Sequence, residues 1–146
     1  MLMAGYSKTP LIKKLGIKPD SKILFINEPA SIYKELGQLP QVEEVSKKEH
    51  FDYVHFFTKE KNDLDKFFKE VKKVLDKEGM LWISWPKTRR GGGGEQSRTT
   101  KKILRSDLDE NIIREIGLKE GLVDVKVAAI DDTWSALKFV LRLKDR

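Results

Sequence analysis

Residues 51–87 read FDYVHFFTKEKNDLDKFFKEVKKVLDKEGMLWISWPK, and three patterns follow one another along them. FDYVHFFT is a nearly unbroken apolar run of strand length, rich in aromatic residues. In the next stretch Leu64, Phe67, Phe68, Val71, Val74 and Leu75 recur at helical spacing and make a single stripe. Asn62 suits the N-cap of that helix, Asp63 and Asp65 complement the dipole of its first turn, and Gly79 suits its end. MLWISW is a second apolar run, stopped by Pro86, which has no N–H to give a ladder. Strand, helix and strand in this order form a βαβ unit. Such a unit implies parallel strands, a right-handed crossover and a sheet covered on both faces. The fold class that follows is α/β, a three-layer Rossmann-like arrangement around a mostly parallel sheet.

The flanking sequence extends this pattern in both directions. Thr9-Pro10 suits an N-cap with proline at the first helical position, opening a short helix TPLIKKLG that ends at Gly16. KILFIN, residues 22–27, has the apolar continuity of a central parallel strand. Pro29 opens a short helix with Ile32, Tyr33 and Leu36 inward, closed by Gly37, and a short strand is expected around Val42 to Val45. Beyond the central unit, Asp107 with Glu110 three residues on reads as a capping box for a helix burying Leu108, Ile112, Ile113 and Ile116. The remainder reads as an antiparallel hairpin. Val123, Val125 and Val127 alternate in its first strand, Leu137, Phe139, Leu141 and Leu143 in its second, and Asp131-Asp132-Thr133 make the turn.

A chain of 146 residues suits one domain, 1–146. It has no cysteine, which rules out disulfides, thiol catalysis and thiolate metal sites and accords with a cytoplasmic setting. With two histidines as well, no metal-ligand cluster is expected. No apolar run approaches the ~20 residues that span a bilayer, and the N-terminus lacks a signal-peptide core, so no membrane association is expected. The net charge of +6 favours an anionic ligand or partner. Part of that charge falls in residues 87–105, where Lys87, Arg89, Arg90, Arg98, Lys101 and Lys102 surround four consecutive glycines. Such a stretch reads as a mobile basic loop, either solvated or acting as an anion-clamping lid through Arg89, Arg90, Arg98 and Lys101. It lacks the interleaved aromatics of a single-strand binding surface, which leaves a nucleic-acid role as a further alternative.

In order, these elements resemble the class I S-adenosylmethionine-dependent methyltransferase fold. FDYVHFF, a helix and DKEGMLWIS are similar to that family's fourth and fifth strands with their connecting helix, and LVDVKVAAIDDTW with SALKFVLRL sits where its last two strands lie. KTPLIKKLGIKP and GLVDVKVAAIDDTWSALKF resemble, more narrowly, a small bacterial family of methyltransferase-like proteins with no assigned function. The resemblance implies a glycine-rich turn after the first strand, beneath the cofactor. Here KILFIN runs instead into Glu28-Pro29-Ala30-Ser31, with no glycine before Gly37. For the acidic residue that would hold the ribose, only Glu43, Glu44 and Glu49 are available. The expectation is therefore a methyltransferase-like domain without the usual cofactor, binding a small ligand or a protein partner. An atypical methyltransferase is the enzymatic alternative.

In open parallel sheets, ligands sit beyond the carboxyl ends of the strands. That rule gathers Asn27, Glu28, Phe57, Thr58, Trp85, Pro86 and Lys87 at one rim. Glu28 could bind a polar ligand or simply start a helix. Trp82 and Trp85, three apart, face opposite sides of a strand, Trp82 towards the core and Trp85 either packed or stacking on a ligand. Trp134, beside the hairpin turn, is a site residue only if that turn lies at the rim. Lys138 reads as solvated and His55 as a structural histidine, and nothing in the sequence relates Ser84 or Ser135 to a histidine. The final hairpin could leave an edge for a second copy, so monomer and dimer are both open.

Overall fold

The computed structural model describes residues 10–37, 50–87 and 106–146. Five strands form one sheet: β1 (Ile23–Ile26), β2 (Phe51–Phe57), β3 (Leu75–Pro86), β4 (Leu122–Ala129) and β5 (Trp134–Leu141). Their order across the sheet is β1-β2-β3-β5-β4, with β1, β2 and β3 parallel and β5 antiparallel to both β3 and β4. Helices α1 (Leu11–Lys14) and α2 (Ser31–Leu36) cover one face; α3 (Lys61–Val71) and α4 (Glu110–Lys119) cover the other. The α/β, three-layer, mostly parallel reading of the sequence is thus the observed architecture.

Strand periodicity divides the core in two. Leu24, Val54, Phe56, Leu81, Ile83 and Trp85 pack with Leu64, Phe68, Ile113 and Ile116 on the α3/α4 side. Ile23, Phe25, Tyr53, Phe57 and Trp82 pack with Leu15, Ile32 and Leu36 on the α1/α2 side. Trp82 and Trp85 do face opposite sides, and both are buried.

Several boundaries differ from those the sequence suggests. α3 stops at Val71, and Leu75 is the first residue of β3, paired with Phe51. The gain from strand pairing outweighs continuation of the helical stripe. Gly79, expected as a helix end, lies within β3, where a Cβ would come within 3.0–3.1 Å of the Phe51 and Asp52 carbonyls beside a register shift. Asn62 is not the N-cap; Glu60 holds that position and makes no side-chain cap. Asp107 instead reaches across to accept from Lys61 N at 2.8 Å, and Asp109 caps α4 by accepting from Ile112 N at 2.9 Å. The capping-box reading of Asp107 with Glu110 therefore gives way to two caps on two helices. α1 ends at Lys14, with Gly16 at φ 84 turning the chain back.

In the hairpin, a bulge between Asp124 and Lys126 shifts the parity of β4, since one extra residue moves every later side chain to the other face. Leu122, before the bulge, and Ala128, after it, are buried on opposite faces, while Val125 and Val127 lie exposed. Leu143, expected in β5, falls in a short 3₁₀ turn and is exposed. Tyr33, expected inward on α2, is exposed, with an edge contact to Phe25. The strand expected at Val42 to Val45 and the basic loop to residue 105, apart from Lys87, lie outside the described residues, as does Thr9. No described helix is long and apolar enough to cross a membrane.

Candidate functional site

Because β1, β2 and β3 are parallel, their carboxyl ends share one edge of the sheet, and the reversed β5 brings its amino end to the same edge. Three segments meet there: the turn after β1, the β2–α3 link and the hairpin turn before β5. Between them lies a cleft of about 290 Å³ lined by Asn27, Phe57, Thr58, Lys59, Glu60, Asp63 and Trp134. It sits near the lower end of the volumes that hold small ligands.

Each wall has a local cause. Asn27 has φ 58, the only described non-glycine residue with positive φ. Asparagine tolerates this left-handed conformation better than most side chains do, and here it turns the chain sharply out of β1. Replacing Asn27 by Ala should cost about 1 kcal/mol, whereas Asn27→Gly should be near neutral. Denaturant midpoints check this, and an alanine variant as stable as the glycine variant would refute it.

Thr58 is almost fully buried, and its hydroxyl is engaged locally, accepting from Glu60 N at 3.2 Å and contacting the Glu60 carbonyl at 3.3 Å. It therefore shapes the link as well as lining the cleft. Ser106 and Asp107 clamp the same link, Ser106 Oγ donating to the Lys59 carbonyl at 2.9 Å. Asp131 Oδ1 accepts from both Thr133 N and Trp134 N at 2.8 Å, which fixes the hairpin turn. Trp134 then packs edge-on against Phe57, centroids 5.3 Å apart, and Lys87 N donates to the Thr133 carbonyl at 2.7 Å.

Of the rim residues named from sequence, Asn27, Thr58 and Trp134 line this cleft together with Phe57. Glu28 does not; its carboxylate accepts from the Tyr33 hydroxyl at 2.6 Å and so braces α2. Burial, then that hydrogen bond and the nearby charge, push the Tyr33 hydroxyl up to about 12. Trp85 is buried in the α3/α4-side core and is not among the residues lining the cleft. Lys87 contributes a backbone bond at the rim rather than a lining group. Arg89, Arg90, Arg98 and Lys101 lie outside the described residues. Lys59 and Glu60, in the link between β2 and α3, and Asp63, in the first turn of α3, also line the cleft, although the sequence reading assigns none of them to the rim. The signal for them is their place just after a strand of a βαβ unit, since that end of the strand lies at the ligand-binding edge.

Behind Phe57 lies a buried polar trio. His55 Nδ1 is 2.9 Å from the Tyr53 hydroxyl, and His55 Nε2 is 2.7 Å from Ser84 Oγ. All three side chains are fully buried, and the His55 ring stacks on Phe57 with centroids 4.3 Å apart. The structure thus relates Ser84 to a histidine, which the sequence did not. Desolvation pushes His55 down to about 3 and raises the Tyr53 hydroxyl well above its ordinary range. The imidazole is accordingly neutral at physiological pH, satisfied on both nitrogens and shut off from solvent. It acts as a structural histidine. Among the described residues no group of three His, Cys, Asp or Glu could hold a metal ion.

No family model matches the chain, and no curated protein does. Solved structures do. A SAM-dependent methyltransferase from Aquifex aeolicus superposes with TM-score 0.55 at 15% identity, over 88% of this chain and 86% of that one. The glycopeptide N-methyltransferase MtfA, complexed with S-adenosyl-L-homocysteine, gives 0.54 at 10% identity, over 90% and 87%. A ribosomal protein L11 methylase from Lactobacillus delbrueckii subsp. bulgaricus gives 0.50 at 8%, over 90% and 74%. The fold is methyltransferase-like. At these identities the likeness concerns the backbone arrangement alone, and the cleft described above occupies the carboxyl edge of that arrangement.

Proposed function

We propose that this methyltransferase-like domain holds a small polar ligand in the cleft between Asn27 and Trp134 and carries out no methyl transfer. The observation that carries the proposal is the turn after β1. Where a cofactor would need bare backbone, the Asn27 side chain lines the cleft, and Pro29 removes a backbone donor two residues later. Glu28, the first carboxylate after β1, does not line the cleft and is engaged by Tyr33. These residues do not fit an adenosyl cofactor. They fit a smaller molecule whose donors meet the amide of Asn27 and the exposed carboxylates of Glu60 and Asp63. The domain is proposed to act in the cytoplasm, as the cysteine-free composition suggests.

One observation favours a second reading, an atypical methyltransferase. The positive φ of Asn27 preserves a backbone conformation that glycine would adopt at this turn. Thermal unfolding with S-adenosylmethionine and S-adenosylhomocysteine separates the two. A ligand at a hundredfold excess over its Kd adds about 2.7 kcal/mol, which is about 5–10 °C for a domain of this size. Neither compound at about 1 mM is expected to move the midpoint by as much as about 1 °C. Saturable stabilisation by either would overturn the reading without a cofactor, and transfer of labelled methyl groups to a cell-extract fraction would then establish the second.

A further inference from the structure

We propose that Lys126 and Lys138 form a binding site for a phosphate or diphosphate group, on the α1 face of the β4–β5 edge. Lys126 and Lys138 are direct partners in the β4–β5 register, and Lys138 is also the partner of Trp82 across β3. Directly opposed residues share a face with Cβ atoms about 4.5–5.5 Å apart, and like charges so placed repel. The bulge after Asp124 creates this pairing, because it turns Lys126 to the α1 side.

α1 is pinned over the same row. The Leu15 carbonyl accepts from Trp82 Nε1 at 2.9 Å, and the Lys14 carbonyl accepts from Lys126 Nζ at 3.2 Å. A cation at the end of a helix accounts for Lys126. It does not account for Lys138, which is half-buried, four residues along β5 from Trp134, and in no ion pair among the described residues. Burial and the neighbouring charges of Lys126 and Lys18 all disfavour its ammonium. Two opposed cations on adjacent strands, neither ion-paired to a carboxylate among the described residues, match a compact anion carrying more than one negative charge. Trp82, the nearest aromatic in the row, is fully buried and cannot stack on a base, which favours a phosphate group over single-stranded nucleic acid. The Lys126–Lys138 row lies apart from the cleft lining and does not depend on what the cleft holds.

The test is titration of pyrophosphate into the full chain at constant ionic strength, read by backbone amide resonances. Saturable shifts are expected at residues 126 and 138, with Kd weakened about tenfold or more in Lys138→Met. Lys66→Met, on the exposed side of α3, should keep the wild-type Kd. Lys138→Met should also raise the unfolding midpoint of the free chain, since it removes an opposed charge, so misfolding would not obscure the result. Shifts reproduced by sodium chloride, or equal affinity in wild type and Lys138→Met, would overturn the proposal. An oligonucleotide that binds these residues where pyrophosphate does not would also overturn it, in favour of a nucleic-acid surface.

Discussion

Lowering the pH from 7 to 5 should remove about 2 kcal/mol of folding stability through His55 alone. The ring is fully buried and held down to about 3 by desolvation, against an ordinary value of 6.5. In the unfolded chain it takes up a proton below about pH 6.5; in the folded chain it does not until about pH 3. The neutral buried form therefore contributes fully above pH 6.5, and the contribution disappears as pH falls from there towards 3. By pH 4 the loss reaches about 3 kcal/mol, a large share of an ordinary domain's stability. Denaturant midpoints followed between pH 7 and 4 in wild type and His55→Gln isolate this term from the carboxylates. The variant should be less stable at pH 7, having lost its bonds to Tyr53 and Ser84, and flatter below pH 6.5. An unchanged slope would show that His55 is not the acid-labile group. Direct titration of its ring resonance would show the same if the midpoint lay near 6.5.

Gly117→Ala should destabilise the protein, against the usual direction for a helix interior. α4 crosses β5 so closely that a Cβ on Gly117 would lie 2.2 Å from Phe139 Cε1 and 2.5 Å from Cζ. Phe139 cannot easily withdraw, being fully buried and packed edge-on against Phe68 at 5.8 Å. Overpacking of this kind costs about 3 kcal/mol, and the better helix propensity of alanine returns about 1. A net loss of about 2 kcal/mol lowers the midpoint by about 4–8 °C. Phe139→Leu opens the space, so the double variant should be more stable than the sum of the single changes implies, by about 1 kcal/mol or more. Stabilisation by Gly117→Ala alone would mean that the helix sits further from the sheet.

How much of this was legible in the sequence depended on whether the signal was local. The central βαβ unit carries its periodicities within 37 consecutive residues, from Phe51 to Lys87, and its fold class came through. The Trp82/Trp85 split follows from strand parity and holds. What failed was decided by distant partners. Leu75 is a strand residue because Phe51 is there to pair with it, and Asp107 caps a helix whose start lies 46 residues earlier. Val125 and Val127 lie exposed, and the bulge that sets their side chains on different faces is something alternation cannot reveal. At the cleft, Asn27 and Thr58 follow from strand ends. Trp134 needed the direction of β5, and Trp85 needed its packing partners.

The reversal of β5 also separates the parts of the molecule that can change from those that cannot. It places a four-residue loop, Ile130 to Thr133, as a lip beside strand ends laid down earlier in the chain, that of β1 about a hundred residues before. Asp131 ties that lip to itself, with no bond from its carboxylate to β1 or β2. Lengthening or recutting it would reshape the mouth while leaving the parallel strands untouched. Selection, or an engineer, could thus retune what enters without refolding the protein.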